Sequence, residues 1–407
     1  MPEKLAEFQL FHDLPTGPIG VAVSGGSDSI ALLHLLHAWQ GRQLSVATVD
    51  HQLRRESADE AQMVANICAG LGVPHRVLHW HDAEAGSNLQ DRARNARKNL
   101  LAQWAAETGL SAVALGHTQD DQAETVLMRL TRGSGVDGLA GMAPISASHG
   151  TVWVRPILRT PRKPLRDYLL HRGIGWIDDP SNTAREFTRV QVRNTITVLE
   201  AQAPTRETLV DTAERMAMAR EVLVDAAKTL AQRCATADAL GYVRIDTDTF
   251  RAAPVETRLR LLAHCLNWVS GSTYRPRFKD LRRVSDAVQT GEGLAGRTLH
   301  GCILRVHGRD LTICREVANA GAPVEAGQIW DGRWQTGGSG DLMVGPLKDT
   351  GLHAFPDWRD SGHPRDALLA SPAFWRDGQL ISAFFLSNPD HNAVQLMQSA
   401  ENCFTTL

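Results

Sequence analysis

The chain has 407 residues, of which 43% are hydrophobic and 22% charged, and its formal net charge is −2. This is the balance of a folded protein with a packed interior, and it excludes disordered, fibrous and uniformly basic chains. No apolar run approaches the roughly 18 residues that span a bilayer, and the opening Met1-Pro2-Glu3-Lys4 begins no secretory signal, so a cytoplasmic location with no membrane partner is expected.

In chain order, residues 19–23 form an apolar run that ends in Ser24-Gly25-Gly26, and the apolar stripe that follows over Ile30, Leu33 and Leu36 predicts a helix. Strands are predicted at 44–49, 73–80 and 110–115, and helices at 57–71, 88–107 and after Asp120. This alternation predicts an α/β domain with a doubly wound parallel sheet and helices on both faces. Ligands of such sheets sit at the carboxyl ends of the strands, where Ser24, Asp50 and Gly116 fall. From Pro204 the pattern turns helical, over 205–233 and 255–288, and residues 298–313 read as a hairpin. The tail from 321 is rich in Gly, Trp and Pro and reads as a small β-containing module. A chain of this length needs more than one core, and the expected domains are 1–203, 204–320 and 321–407.

Charge is unevenly spread. Residues 155–193 hold nine Arg or Lys against four acids, 251–286 hold eight against three, and 321–407 hold five against ten. Two basic stretches on a near-neutral chain point to local phosphate contacts, with solvated helix faces as the alternative. The six cysteines, Cys68, Cys234, Cys265, Cys302, Cys314 and Cys403, include no C-x-x-C pair, so buried thiols are expected in place of disulfides or a zinc site.

Ser24-Gly25-Gly26-Ser27-Asp28-Ser29 lies between a strand and a helix. Its glycines let the backbone curl and its hydroxyls add donors beside a helix N-terminus, which makes an anion cradle. No G-x-x-x-x-G-K-[ST] occurs, so a Walker A device is excluded. Asp28 is anionic beside phosphates, which predicts a bridging Mg²⁺. Gly133-Ser134-Gly135-Val136-Asp137-Gly138 matches G-x-G-x-x-G but follows a helix, so it fails the context of a dinucleotide site and reads as a flexible loop. Asp50-His51-Gln52-Leu53-Arg54 follows the second strand, and His117-Thr118-Gln119-Asp120-Asp121-Gln122-Ala123-Glu124-Thr125 follows the fourth. Arg94 and Arg97 lie three apart on a helix and so share a face. Together these supply cations for developing phosphate charge and acids for metal or proton work.

S-G-G-x-D-S is the signature of the PP-loop ATP pyrophosphatases. Taken with D-H-x-L-R, A-R-x-x-R, H-x-x-D-D-Q-x-E-T, Arg155-Pro156-Ile157-Leu158 and Trp176-Ile177-Asp178-Asp179-Pro180-Ser181-Asn182, it resembles the tRNA(Ile)-lysidine synthetases over roughly residues 17–200. Lys98 departs from the family's usual aromatic, and beyond 200 only the helical character agrees. The resemblance implies an adenine nucleotide α-hydrolase-like fold and the substrates ATP, free L-lysine and an isoleucine tRNA with a CAU anticodon. It implies that Ser24 to Ser29 hold the pyrophosphate of ATP, that Asp28 meets Mg²⁺, and that Asp50, His51 and Arg54 line the nucleotide pocket. Arg97 and His117 would support the α-phosphoryl group, and Asp121 would meet metal or lysine. Arg94, Asp120, Arg155, Arg189 and Arg193, with the basic run Arg275, Arg277, Lys279, Arg282 and Arg283, are expected on the tRNA side. A homodimer is compatible with the sequence, which does not fix the oligomeric state.

Three rivals share parts of this pattern. A tRNA thiolase needs reactive cysteines, an amidotransferase-like synthetase would leave the basic stretches without a role, and a tRNA-binding protein without catalysis would not need Asp28, Arg97, His117 and Asp121 together.

Overall fold

The computed structural model describes residues 10–51, 57–80, 89–178, 188–272, 274–291, 296–338, 341–386, 394–405 and 407. The chain divides into two compact units, Met1–Arg220 and Glu221–Leu407, and the division falls inside one long helix.

The first unit is built on a six-stranded sheet of order β3-β2-β1-β4-β6-β5. Strands β1 (Ile19–Ala22), β2 (Leu44–Asp50), β3 (His75–His79), β4 (Ala112–Leu115) and β6 (Thr151–Val154) run parallel, and β5 (Ile145–Ser148) pairs antiparallel with β6. Its helices are α1 (Ser27–Trp39), α2 (Ser57–Leu71), α3 (Leu89–Glu107), α4 (Gln119–Thr131), α5 (Val136–Leu139), α6 (Arg162–His171), α7 (Thr188–Glu200) and the start of α8 (Thr205–Cys234). All four residues of both β1 and β4 are buried, which is why they read as unbroken apolar runs. One core gathers Ile19, Val21, Ile30, Leu33 and Leu36 with Leu165 and Leu169 of α6, and a second gathers Ala22, Ala47, Leu101 and Trp104 with Val113 and Trp153.

The parallel sheet meets the expectation. The β5–β6 hairpin was not visible in the sequence, because each strand has four residues and the turn is carried by His149 and Gly150, both at positive φ. The G-x-G-x-x-G string is no free loop: Arg129 donates to the carbonyls of Gly138 and Gly141 at 2.9 Å each. The Gln122 amide binds Met142 N–H at 2.8 Å and its carbonyl at 2.9 Å.

In the second unit a five-stranded sheet combines β7 (Ala235–Ala237), β8 (Val243–Asp246), β9 (Arg297–Leu299), β10 (Cys302–His307) and β11 (Asp310–Arg315). The expected hairpin is β10–β11. It packs with α9 (Thr247–Ala252), α10 (Val255–Ser270) and α11 (Phe278–Thr290). The single helix expected over 255–288 is two, because Gly271 takes the left-handed cap conformation after α10 and Pro276 cannot continue a helix. The tail forms small antiparallel sheets from strands between Val324 and Leu396, as the β-containing reading required. Its Leu347, Leu368 and Ala373 share a core with Leu240, Tyr242 and Cys314.

Candidate active site

The strand order reverses between β1 and β4, and the loops after these two strands converge at the carboxyl end of the sheet, the place where open α/β sheets bind ligands. Ser24 to Ser29 follow β1 and enter α1. Ser29 Oγ donates to the Gly26 carbonyl at 3.0 Å and accepts from Ser24 N–H at 3.2 Å, which closes the curl. Gly25 has φ +86° and lies against Ile177, whose N–H donates to the Gly25 carbonyl at 2.9 Å. A Cβ at Gly25 would stand 2.8 Å from Ile177 Cδ1. The glycine is therefore required twice, by conformation and by space.

Asp28 pairs with Arg162 of α6, Nε to Oδ2 at 2.8 Å, and the same guanidinium lies 3.4 Å from Asp121 Oδ2. Burial raises the Asp28 carboxyl above its ordinary value, against the pull of Arg162. Asp121 also accepts from Thr118 N–H at 3.0 Å and from Thr118 Oγ at 2.9 Å, closing the first turn of α4. Burial pushes its carboxyl up, but Arg162 and the Thr118 N–H outweigh this and hold it below the usual range. Asp120 accepts the Arg162 backbone N–H at 2.8 Å and pairs with Arg206 at 3.1 Å. The two neighbouring acids thus serve different structures.

His117 sits between Asp121 and a group of cations. Burial pushes its imidazole down to about 3; Asp121 works against this, and Arg155, Arg97 and Arg94 add to it. The ring is neutral throughout the physiological range, and its Nδ1 has no hydrogen-bond partner among the described residues. His51 is lowered by burial and then by Arg97, and its ring meets Trp80 edge-on at 5.8 Å. Asp50 is buried beside His79 at 3.4 Å. Arg54 lies outside the described residues, as does the string from Asp179 to Asn182.

Because the folded state holds the His117 pKa far below that of an unfolded histidine, the unfolded chain takes up a proton that the folded chain refuses as pH drops below about 6.5. This histidine therefore contributes a loss of stability on acidification. We expect the ring nitrogen shifts of His117 in NMR to stay constant from pH 8 to pH 5, and His117→Gln to lose stability less steeply over that window; a titration midpoint above 6 would contradict this.

The remaining residues expected on the tRNA side separate. Arg94 and Arg189 are exposed. Arg155 donates to the Ala143 carbonyl at 2.7 Å and to Ser146 Oγ at 3.1 Å, so it also ties the β5 segment to the site. Arg193 of α7 pairs at 2.8 Å with Glu124, which is 2% exposed. Removing one partner of such a pair strands a buried charge. Arg193→Ala is expected to cost about 2 kcal/mol or more in chemical denaturation, discounted because the arginine is partly solvated, and Glu124→Gln in the same background should recover part of it.

Two residues were missed in the sequence. Arg162 and Arg166 lie one turn apart on α6, and Arg166 donates to Ser27 Oγ at 3.2 Å and pairs with Asp178 at 2.8 Å. Their spacing of four was a signal that they share a face. Which neighbour that face meets is decided by the packing of α6 against α1.

Fold and loop together define a PP-loop protein, and a profile of the PP-loop domain matches residues 3–200. The chain is 41% identical over 405 residues to a tRNA(Ile)-lysidine synthase of Ruegeria pomeroyi, covering 98% of this chain and 95% of that protein. It is 30% identical over 404 residues to that of the Wolbachia of Brugia malayi, covering 94% and 93%, and 34% identical over 379 residues to that of Wolbachia pipientis, covering 89% and 88%. The chain belongs to the tRNA(Ile)-lysidine synthase family. The likeness extends through the carboxy-terminal part, further than residues 17–200 alone suggested.

Proposed function

We infer that the chain is a ligase that joins free L-lysine to C2 of the wobble cytidine in an isoleucine tRNA with a CAU anticodon, consuming ATP. The observation that carries this reading is the convergence of the PP-loop, Asp28, His117 and Asp121 at one end of the sheet in a chain aligned almost end to end with its relatives.

The cytosine O2 attacks the α-phosphorus of ATP. As that O–P bond forms, the bridging P–O bond breaks and its electron pair leaves with pyrophosphate. The lysine ε-amine, having given up a proton, then attacks C2 and expels AMP. The loop from Ser24 to Ser29 would hold the pyrophosphate, Asp50 and His51 would line the nucleotide pocket, and Arg97 would face the α-phosphoryl charge with neutral His117. A neutral imidazole can donate or accept a hydrogen bond there without adding to the crowd of cations. Asp121 would orient the attacking amine.

No cluster of three or more metal-binding side chains occurs among the described residues. Mg²⁺ usually takes one or two carboxylates plus substrate phosphates, and Asp28 and Asp121, two carboxylates sharing one guanidinium, fit that demand. The ion would arrive with ATP and neutralise charge on the phosphates.

A base must leave its stack to be modified, so the enzyme has to grip a single-stranded loop. Exposed Arg94 and Arg189 would serve in the first unit. In the second, Tyr274 and Phe278 are 76% and 64% exposed, Tyr274 directly before and Phe278 within the basic run from Arg275 to Arg283. Exposed rings among cations suit stacked bases and phosphates. Such substrates belong to the cytoplasm, and no described helix is long and apolar enough to cross a membrane. All six thiols are buried, and burial pushes those of Cys68 and Cys234 up to about 11, which disfavours sulfur transfer.

The test incubates the protein with Mg²⁺-ATP, CAU tRNA transcript and labelled lysine. Lysine-dependent label on RNA with matching AMP and pyrophosphate is the expected result. Pyrophosphate release with a small acceptor and none with tRNA would mark an amidotransferase-like synthetase, and tRNA binding without ATP turnover would leave a binding protein.

A further inference from the structure

Arg162 has no role in the reading above, yet it stands at the centre of the site. Its backbone N–H is fixed by Asp120 at 2.8 Å, its Nε by Asp28 at 2.8 Å, and its Nη2 lies 3.4 Å from Asp121. The side chain is 20% exposed, so solvent reaches it. One turn on, Arg166 reaches Ser27 Oγ. Helix α6 therefore lays two guanidiniums along the PP-loop.

A purely structural ion pair does not account for this placement well. Asp121 already has both Thr118 donors, and Asp28 is the carboxylate best placed to meet a cation carried by ATP. With a cation at Asp28 the guanidinium would lose its principal partner, while its backbone is anchored at Asp120. Its planar donors are then free beside the loop that holds the phosphates, and such a fork matches phosphate oxygens two at a time.

We propose that Arg162 is a catalytic residue that exchanges Asp28 for the β and γ phosphates of ATP and carries the charge of the departing pyrophosphate. The inference rests on the adenylation reading. As the bridging P–O bond breaks, the electron pair moves onto pyrophosphate and Arg162 stabilises that charge through N–H donation alone; no proton is transferred. Before ATP binds, the same guanidinium keeps Asp28 and Asp121 from repelling each other.

The experiment titrates Mg²⁺-pyrophosphate into the full-length protein by calorimetry, without tRNA, beside a filter-binding measurement with CAU tRNA. Arg162→Gln is expected to weaken pyrophosphate binding about tenfold or more, the loss of a charge-assisted contact, with tRNA affinity unchanged within about twofold. Wild-type pyrophosphate affinity in Arg162→Gln would overturn the proposal. Should that variant fail to fold, Arg162→Lys keeps the charge and loses the planar fork. It is expected to bind pyrophosphate several-fold more weakly, and undiminished affinity in it would equally overturn the role. If the wild-type protein itself neither binds pyrophosphate nor labels tRNA, the adenylation reading fails instead.

Discussion

Lysine-dependent labelling of tRNA is expected to fall by about a hundred- to a thousandfold in Asp28→Ala, the scale on which loss of one preorganised electrostatic group acts. Asp28 stands in the first turn of α1, between the loop hydroxyls and Arg162, so its removal takes away the carboxylate proposed to receive the metal ion of ATP. The fold should survive, because Arg162 keeps Asp121 and its anchor at Asp120. Single-turnover assays with saturating tRNA would separate this loss from weaker RNA binding, and retention of a tenth of wild-type labelling would remove Asp28 from the mechanism.

The second large effect is expected at a position without a side chain. Gly116 follows β4, and a Cβ there would stand 2.9 Å from Ser29 Cα and 3.0 Å from Ser29 N. Both atoms are backbone at the start of α1, so no flexible group can yield. Gly116→Ala must push the PP-loop away from the β4 loop that carries His117 and Asp121. A misplacement of about 1 Å between reacting groups can cost about a hundredfold in rate, and a loss of up to about that size is expected, with ATP affinity reduced as well. Equilibrium ATP binding and single-turnover rates would check it; wild-type values for both would mean the two loops are not rigidly coupled.

How much of this was legible beforehand depended on the range of the interaction. The parallel sheet was readable because β1 and β4 are buried on both faces and therefore appear as continuous apolar runs. The anion cradle was readable because Gly25 and the serines act within six residues. Arg162 was not, since its meaning arises from α6 lying against α1, 134 residues away in sequence from Asp28. For the same reason residues 155–193 appeared as one basic stretch, whereas the structure assigns Arg162 and Arg166 to the loop, Arg193 to Glu124 and Arg155 to the Ala143 carbonyl and the Ser146 hydroxyl. Asp120 and Asp121 are adjacent and chemically alike. Only the structure distinguishes the one that steadies α6 from the one that faces His117.

The burial of all six cysteines bears on how this enzyme can be inhibited or damaged. Electrophiles that hunt for thiolates find none at the surface, so alkylating reagents and mild peroxide should leave turnover intact as long as the fold holds. A reversible polyanion that competes for the guanidiniums around the loop needs no thiol to act.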